Sequence, residues 1–331
     1  MPRIAINGFG RIGRATLKAA WRNPKFNVVA INDLTDAKTL AHLLTYDSIY
    51  GKWKVKVSSK GNTLIIGDKK IPIFAQRDPL KLPWDKLKVD VVIESTGFFT
   101  TYEQASMHIS AGAKRVIISA PAKGGNVPTN VIGVNDKEIK SKKAKVVNNA
   151  SCTTNCVAPV TAILHEAFGV KKAILTTIHA LTSTQNIVDG PAKDLRRARS
   201  AMSNMVPTST GAAIATTETI PDLKGKFDGL SVRIPLDIVS LSDITYVLKK
   251  KVTVEEVHKV FEKAVKTPRF KNIVSINKEP LVSSDFIGDP HSAIVDFGLT
   301  RVIDGDLVKI IAWYDNEWGY ANRLFELAIS L

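Results

Sequence analysis

The residues best equipped for chemistry are two cysteines set among hydroxyls and amides, Ser151-Cys152-Thr153-Thr154-Asn155-Cys156. They are the only cysteines in the 331 residues. Two thiols make neither a disulfide framework nor a structural zinc site, so a reducing compartment and no bound metal are expected. The segment reads as a loop entering a helix that runs from Ser151 to Phe168. A cysteine at that mouth feels unpaired amides and the positive end of the helix dipole, which favour its thiolate. Both cysteines could equally be small buried hydrophobes. That reading suits Cys156, one turn inside, better than Cys152. A thiol nucleophile needs a base. Of the six histidines, His42, His108, His165, His258 and His291 lie in or beside periodic segments and read as packing or surface residues. His179 follows a predicted strand, Lys172–Ile178, and opens an irregular basic loop, a position where catalytic groups gather. Spacing alone does not join it to Cys152.

A second constellation is Gly8-x-Gly10-x-x-Gly13. It follows a predicted strand, Ile4–Ile6, and opens a predicted helix through Ala15, Ala19 and Ala20. In that setting the first glycine allows a tight turn, the second lets backbone approach a pyrophosphate, and the third lets the helix lie close to the sheet. Amides at the helix start then face the diphosphate. Asp33 follows Gly13 by 20 residues, at the end of a second predicted strand. A carboxylate there accepts from both ribose hydroxyls and repels a 2′-phosphate, which favours NAD over NADP. The same glycines also occur in flavin enzymes and in plain glycine-rich turns.

The elements that must hold these groups alternate in the first half. Predicted strands at Val28–Ile31, Val89–Ile93 and Arg115–Ser119 are separated by helical stretches, one of them Glu103–His108, as in a parallel sheet covered on both faces. Residues 45–80 are less regular, with a turn at Lys60-Gly61-Asn62 that suggests an inserted hairpin. The character changes near Asn148. Residues 180–210 are polar, basic and aperiodic, so one long functional or packed loop is expected. Strands are then predicted at Ser231–Ile234, Ile244–Leu248 and Val308–Trp313. Thr253-Val254-Glu255-Glu256 reads as a capping box opening a helix with an apolar face at Val254, Val257, Phe261, Ala264 and Val265. This mixture suggests α+β packing in a second domain.

Length and composition agree with two globular domains. The chain exceeds one ordinary core, with 44% hydrophobic and 23% charged residues. The start, Met1-Pro2-Arg3-Ile4-Ala5-Ile6, runs straight into a predicted strand without the pattern of a secretory signal. No run reaches the ~18 apolar residues of a membrane span. A cytoplasmic protein is expected. The net charge of +15 is scattered, with short clusters at Lys140–Lys145 and Lys249–Lys251. There is no zinc-finger spacing, basic arm or aromatic ladder. The charge reads as a solvated surface with local anion sites, and nucleic-acid binding as weak and secondary.

Five segments, in order from end to end, resemble the phosphorylating glyceraldehyde-3-phosphate dehydrogenases. They are Ile6-Asn7-Gly8-Phe9-Gly10-Arg11-Ile12-Gly13-Arg14, Ser151–Cys156, Thr177-Ile178-His179-Ala180, Pro207-Thr208-Ser209-Thr210-Gly211-Ala212-Ala213 and Trp313-Tyr314-Asp315-Asn316-Glu317-Trp318-Gly319-Tyr320. The resemblance implies an α/β protein: a Rossmann-type parallel-sheet domain at 1–150 and an α+β catalytic domain at 151–316, built on a mixed, largely antiparallel sheet. A C-terminal helix at 317–331 packs back on the first domain. It implies oxidation of glyceraldehyde 3-phosphate with NAD and inorganic phosphate, in a homotetramer.

By the same resemblance Cys152 is the nucleophile and His179 its base. Thr182, Arg197 and Arg233 take the substrate phosphate. Ser151, Thr153, Thr210 and Gly211 take inorganic phosphate, with Arg233 close. Asn316 grips the nicotinamide carboxamide. Asn7, Gly8, Gly10, Arg11, Ile12, Gly13, Asn32, Asp33, Arg77, Thr96 and Ser119 line the dinucleotide cleft. Gly190-Pro191 goes with NAD preference. Leu181, Thr184 and Leu236-Asp237-Ile238 depart from the family pattern without removing a needed chemical group; the last could alter substrate affinity. Arg196 and Arg199 are expected to serve the loop or a subunit contact. Two alternatives stand beside this reading: an erythrose-4-phosphate dehydrogenase, which the phosphate pocket around Thr210 argues against, and a non-enzymatic polyanion or surface binding protein.

Overall fold

Val, Ile and Ala dominate the short runs of the first half, and such runs become strands buried on both faces when helices cover the sheet. The computed structural model of the chain describes residues 1–137 and 144–331. The basic cluster predicted at Lys140–Lys145 lies largely outside them. The described residues divide into two compact units: 1–130, 136–150 and 321–331 in the first, 131–135 and 151–320 in the second.

In the first unit, β1 (Arg3–Asn7), β2 (Asn27–Asn32), β6 (Val91–Glu94), β7 (Arg115–Ile118) and β8 (Val146–Asn148) are parallel strands. β5 (Lys69–Phe74) pairs parallel with β2. Residues 45–80 hold more than the expected hairpin. β3 (Val57–Lys60) and β4 (Thr63–Ile66) turn at Gly61, and β4 then pairs antiparallel with β5, giving the order β3-β4-β5-β2-β1-β6-β7-β8. Helices α1 (Arg11–Ala20), α2 (Ala37–Thr45) and α3 (Tyr102–Ser110) connect the strands. Ala5, Ala30, Val92, Val116 and Trp84 share one core cluster. The glycine-rich turn therefore leaves the carboxyl end of β1, where open α/β sheets bind ligands.

The second unit is a mixed sheet. β9 (Val170–His179) is an interior strand between β11 (Phe227–Arg233), parallel, and β12 (Ser240–Leu248), antiparallel. β10 (Val206–Ser209), β14 (Ala293–Asp296), β15 (Arg301–Ile303) and β16 (Leu307–Tyr314) add antiparallel pairs, while β13 (Val274–Asn277) pairs parallel with β14. Most pairs are antiparallel, as expected. Against one face packs α4 (Cys152–Phe168), whose Val157, Val160 and Leu164 share a core with Leu175, Ile244, Tyr246 and Ile310. The other face is open: Leu175 is fully buried, and its neighbour Ile174 is 61% exposed. That alternation is what a one-sided antiparallel sheet produces. The second unit also holds α5 (Ala212–Thr219) and α6 (Val254–Ala264), while α7 (Trp318–Ser330) has most of its length, from Ala321, in the first unit. The predicted capping box opens α6, with Thr253 and Glu256 each accepting the other's amide. The loop after His179 is irregular over most of its length, but its last residues form edge strand β10.

Candidate active site

Ser151 caps α4 by accepting from the Thr154 amide at 3.0 Å, which sets Cys152 as the first helical residue. Cys152 is partly exposed, whereas Cys156, one turn on, is fully buried. His179 closes β9. The structure brings the two together, with Cys152 Sγ 3.4 Å from His179 Nε2. Arg233 stands opposite His179 in the parallel register of β11 and β9. Its Nη1 lies 2.5 Å from His179 Nδ1 and 3.2 Å from the Ala180 carbonyl.

His179 Nδ1 thus faces two partners with opposite demands. The Ala180 carbonyl, at 2.7 Å, only accepts; Arg233 only donates. With its proton on Nδ1 the ring donates to Ala180 and leaves the Nε2 lone pair facing the sulfur, which is the tautomer of a base. Burial, with the Arg233 charge beside it, lowers the His179 pKa to about 3. Burial also pushes the Cys152 thiol up, against the pull of Arg233 and of hydrogen bonds from Thr153. The helix mouth therefore does not by itself yield the free thiolate expected from sequence, because the desolvation of the sulfur outweighs the local amides. The resting pair is a thiol facing a neutral imidazole.

Tyr314 carries no role in the sequence reading, yet it ties both partners down. Its hydroxyl sits 2.9 Å from Thr153 Oγ1, on the helix of Cys152, and 2.9 Å from Thr177 Oγ1, on the strand of His179. Its ring meets the imidazole edge-on at 6.1 Å. A tyrosine at the end of a β-rich run gives no sequence signal of such a task.

The expected phosphate ligands are placed as follows. Arg197 Nε donates to Thr208 Oγ1 at 2.9 Å, and Thr208 donates in turn to Asp194. Its charge reaches Arg233, whose own pKa falls through burial and, to a lesser degree, through Arg197. Thr153 is engaged by Tyr314, and Ser151 by its cap. Thr182 and Thr210 are bonded within their own turns, Thr182 Oγ1 to Thr184 Oγ1 at 2.9 Å and Thr210 Oγ1 from the Ala212 amide at 3.2 Å. Gly211 begins α5 with open space where a side chain would stand, no side-chain cap and no acid in the first turn. Such a helix start receives anions.

The first unit holds a cleft of about 490 Å³ lined by Asn7, Gly8, Gly10, Asn32, Asp33, Arg77 and Thr96. Leu34, Gln76, Ser95, Phe98 and Phe99 also line it and were not foreseen. Arg11, Ile12 and Gly13 belong to α1, and Ser119 follows β7, its amide bonded to the Glu94 carbonyl. A Cβ at Gly8 would meet the Thr96 amide nitrogen at 2.6 Å, one at Gly13 would meet the Gly8 carbonyl at 2.4 Å, and one at Gly10 would meet nothing. These are the demands of a tight turn, close helix packing and an open approach for a diphosphate, so the residues fit a dinucleotide. Asp33 accepts from the Phe9 amide at 2.7 Å and the Thr35 amide at 2.9 Å, leaving lone pairs for ribose hydroxyls. Beneath the cleft lies a buried chain that the sequence reading missed. Trp84 Nε1 donates to His108 Nδ1 at 3.0 Å, His108 Nε2 donates to Glu94 at 3.1 Å, and Asn7 Nδ2 donates to the same Glu94 oxygen at 2.5 Å. Asn316 lies in the second unit, between β16 and α7.

Comparison with known proteins bears on the same segments. Residues 2–102 match the NAD binding domain of glyceraldehyde 3-phosphate dehydrogenase, and residues 151–316 match the C-terminal domain of that enzyme. The chain is 50% identical over 326 residues to glyceraldehyde-3-phosphate dehydrogenase of Geobacillus stearothermophilus, covering 98% of this chain and 97% of that protein. It is 51% identical over 328 residues to glyceraldehyde-3-phosphate dehydrogenase 1 of Bacillus cereus, covering 99% and 98%. Against glyceraldehyde-3-phosphate dehydrogenase 1 of Bacillus subtilis it is 49% identical over 326 residues, covering 98% and 97%. A cysteine–histidine pair at a helix mouth, a parallel dinucleotide sheet and similarity over nearly the whole length converge: the chain belongs to the glyceraldehyde-3-phosphate dehydrogenase family.

Proposed function

We propose that Cys152 and His179 are the nucleophile and base of the family's reaction in this chain. That reaction is oxidation of D-glyceraldehyde 3-phosphate with NAD and inorganic phosphate to 1,3-bisphosphoglycerate. The observation that carries the assignment is the 3.4 Å approach of Cys152 Sγ to His179 Nε2, with Nδ1 held by the Ala180 carbonyl. Because the thiol is the stable form, its proton passes to Nε2 as sulfur bonds to the aldehyde carbon and then on to the carbonyl oxygen, giving a hemithioacetal and restoring the neutral imidazole. A phosphate group on Arg233 offsets the positive field that opposes the imidazolium, which couples binding of an anionic substrate to activation of the base. His179 then takes the hydroxyl proton as the carbon is oxidised to a thioester on Cys152. Bound NAD supplies the acceptor for the two electrons, as hydride. Attack of a phosphate oxygen on the thioester carbon breaks the C–S bond, and the sulfur recovers its proton from His179. Arg233 and Arg197, as guanidinium groups, suit phosphate oxygens. The Gly211 helix start adds amide donors for inorganic phosphate.

Residues 1–150 act in this account as the dinucleotide domain and 151–316 as the catalytic domain, with 317–331 returning to the first. Asp33 sets the NAD preference, and Asn316 holds the nicotinamide carboxamide. The open face around Ile174 and the exposed Ile187, Leu195 and Met205 of the loop after His179 support a homotetramer, since monomers seldom leave so much apolar surface uncovered. No helix among the described residues is long and apolar enough to cross a membrane, and a cytoplasmic location accords with the two unpaired thiols. Scattered positive charge supports at most weak, salt-sensitive binding of nucleic acid. The test is NADH formation from glyceraldehyde 3-phosphate and from erythrose 4-phosphate, with and without phosphate. A higher phosphate-dependent kcat/KM on the three-carbon aldehyde is expected; preference for the four-carbon sugar would replace the substrate assignment.

A further inference from the structure

Ser240 opens β12, is 2% exposed, and makes two hydrogen bonds whose directions are fixed. The backbone N–H of Ala180 can only donate, so Ser240 Oγ accepts it, at 3.1 Å. The hydroxyl proton is then directed to Asn316 Oδ1, at 2.9 Å. An amide whose oxygen is held in this way has a defined orientation, with Nδ2 left as its outward donor. The backbone around Asn316 is pinned as well: the Asp315 carboxylate accepts from the amides of Glu317, Trp318 and Gly288 at 2.8 to 3.0 Å. What remains to be set is the side chain, and Ser240 sets it.

A second observation comes from the preceding residue. Val239 is buried and has φ +67°. A β-branched side chain avoids that left-handed region, and such a conformation persists only where its surroundings over-determine it. The strained turn is the one that delivers Ser240. The Ala180 peptide is shared, too, because its N–H goes to Ser240 while its carbonyl accepts from His179 Nδ1.

We propose that Ser240 is a positioning residue that locks the Asn316 carboxamide with Nδ2 presented as a donor to the oxygen of the nicotinamide carboxamide. The proposal rests on the reading of Asn316 as the nicotinamide's partner. It is tested by titrating the full-length protein with NAD and with ADP-ribose, which lacks the nicotinamide. The set is wild type, Ser240→Ala, Ser240→Thr, Asn316→Ala and the double variant Ser240→Ala/Asn316→Ala. Loss of the serine hydroxyl should weaken NAD roughly three- to tenfold and leave ADP-ribose unchanged, and Ser240→Thr, which keeps a hydroxyl, should recover NAD binding. The double variant should bind NAD no more weakly than Asn316→Ala, because both changes act through one contact. Wild-type NAD affinity in Ser240→Ala, or losses that multiply in the double variant, would overturn the proposal. Normal NAD binding by Asn316→Ala would instead remove the reading of Asn316, and the proposal with it. If Ser240→Ala loses ADP-ribose binding as well, Ser240→Cys, which keeps the volume and weakens the hydrogen bond, makes the same comparison.

Discussion

Arg233 Nη1 stands 2.5 Å from His179 Nδ1, so a fixed positive charge adjoins the imidazole that faces the Cys152 sulfur. A guanidinium against a buried imidazole opposes its protonation, and the consequence can be read in stability as well as in catalysis.

The ordinary histidine pKa of 6.5 falls to about 3 in the fold. An unfolded chain therefore takes up a proton below pH 6.5 that the folded chain refuses until about pH 3. The unfolded state binds more protons in this window, so His179 weakens the fold as pH falls through it, by at most about 1.4 kcal/mol per pH unit. Above the window it has no pH effect. Urea unfolding of wild type and His179→Asn at fixed protein concentration should show the wild type losing ground to the variant between pH 7 and pH 5. Parallel pH curves for the two proteins would contradict the buried neutral imidazole.

Arg233 serves the phosphoryl group in this account, so its loss should depend on what the substrate carries. Arg233→Ala should lower kcat/KM for glyceraldehyde 3-phosphate by roughly ten- to a hundredfold, the worth of a charge-assisted hydrogen bond. The unphosphorylated aldehyde, glyceraldehyde, should lose far less. Equal losses on both aldehydes would place Arg233 with the base alone.

Asp33 holds the glycine-rich loop through the Phe9 amide, and in the proposed function its charge faces the ribose. Asp33→Asn keeps an acceptor for that amide and removes the charge. The ratio of kcat/KM for NADP to that for NAD should rise about tenfold or more, the scale of one like-charge contact. An unchanged ratio would mean that other groups select the cofactor.

The parts of the site that were legible in the sequence were those whose chemistry is local. The glycine-rich turn, the start of α4 and the capping box of Thr253 and Glu256 are each written in a short stretch of chain, and each is found where spacing placed it. Cys152 and His179 meet only because α4 lies against the sheet that holds β9, and Arg233 reaches His179 only through the parallel register of β11 with β9. Sheet register is a long-range property that residue spacing does not encode, and here family resemblance supplied the pairing. Tyr314, Ser240 and the Trp84–His108–Glu94 chain were missed for the same reason, since their partners lie 14 to 161 positions away. His108 reads as a packing residue from its helical spacing and is indeed buried, but both ring nitrogens are hydrogen-bonded. A helix mouth is visible in sequence, whereas the desolvation that raises the Cys152 pKa against it arises only from the folded surroundings.

The most direct test is a single turnover followed by rapid mixing. Enzyme and NAD are mixed with glyceraldehyde 3-phosphate in the absence of phosphate, with NADH read by absorbance and the quenched protein by peptide mass. A burst of one NADH per chain is predicted, with a phosphoglyceroyl adduct on the peptide carrying Cys152 that disappears, with release of acyl phosphate, when phosphate is added. Sustained turnover without phosphate, an adduct elsewhere, or an undiminished burst in Cys152→Ser would contradict the account.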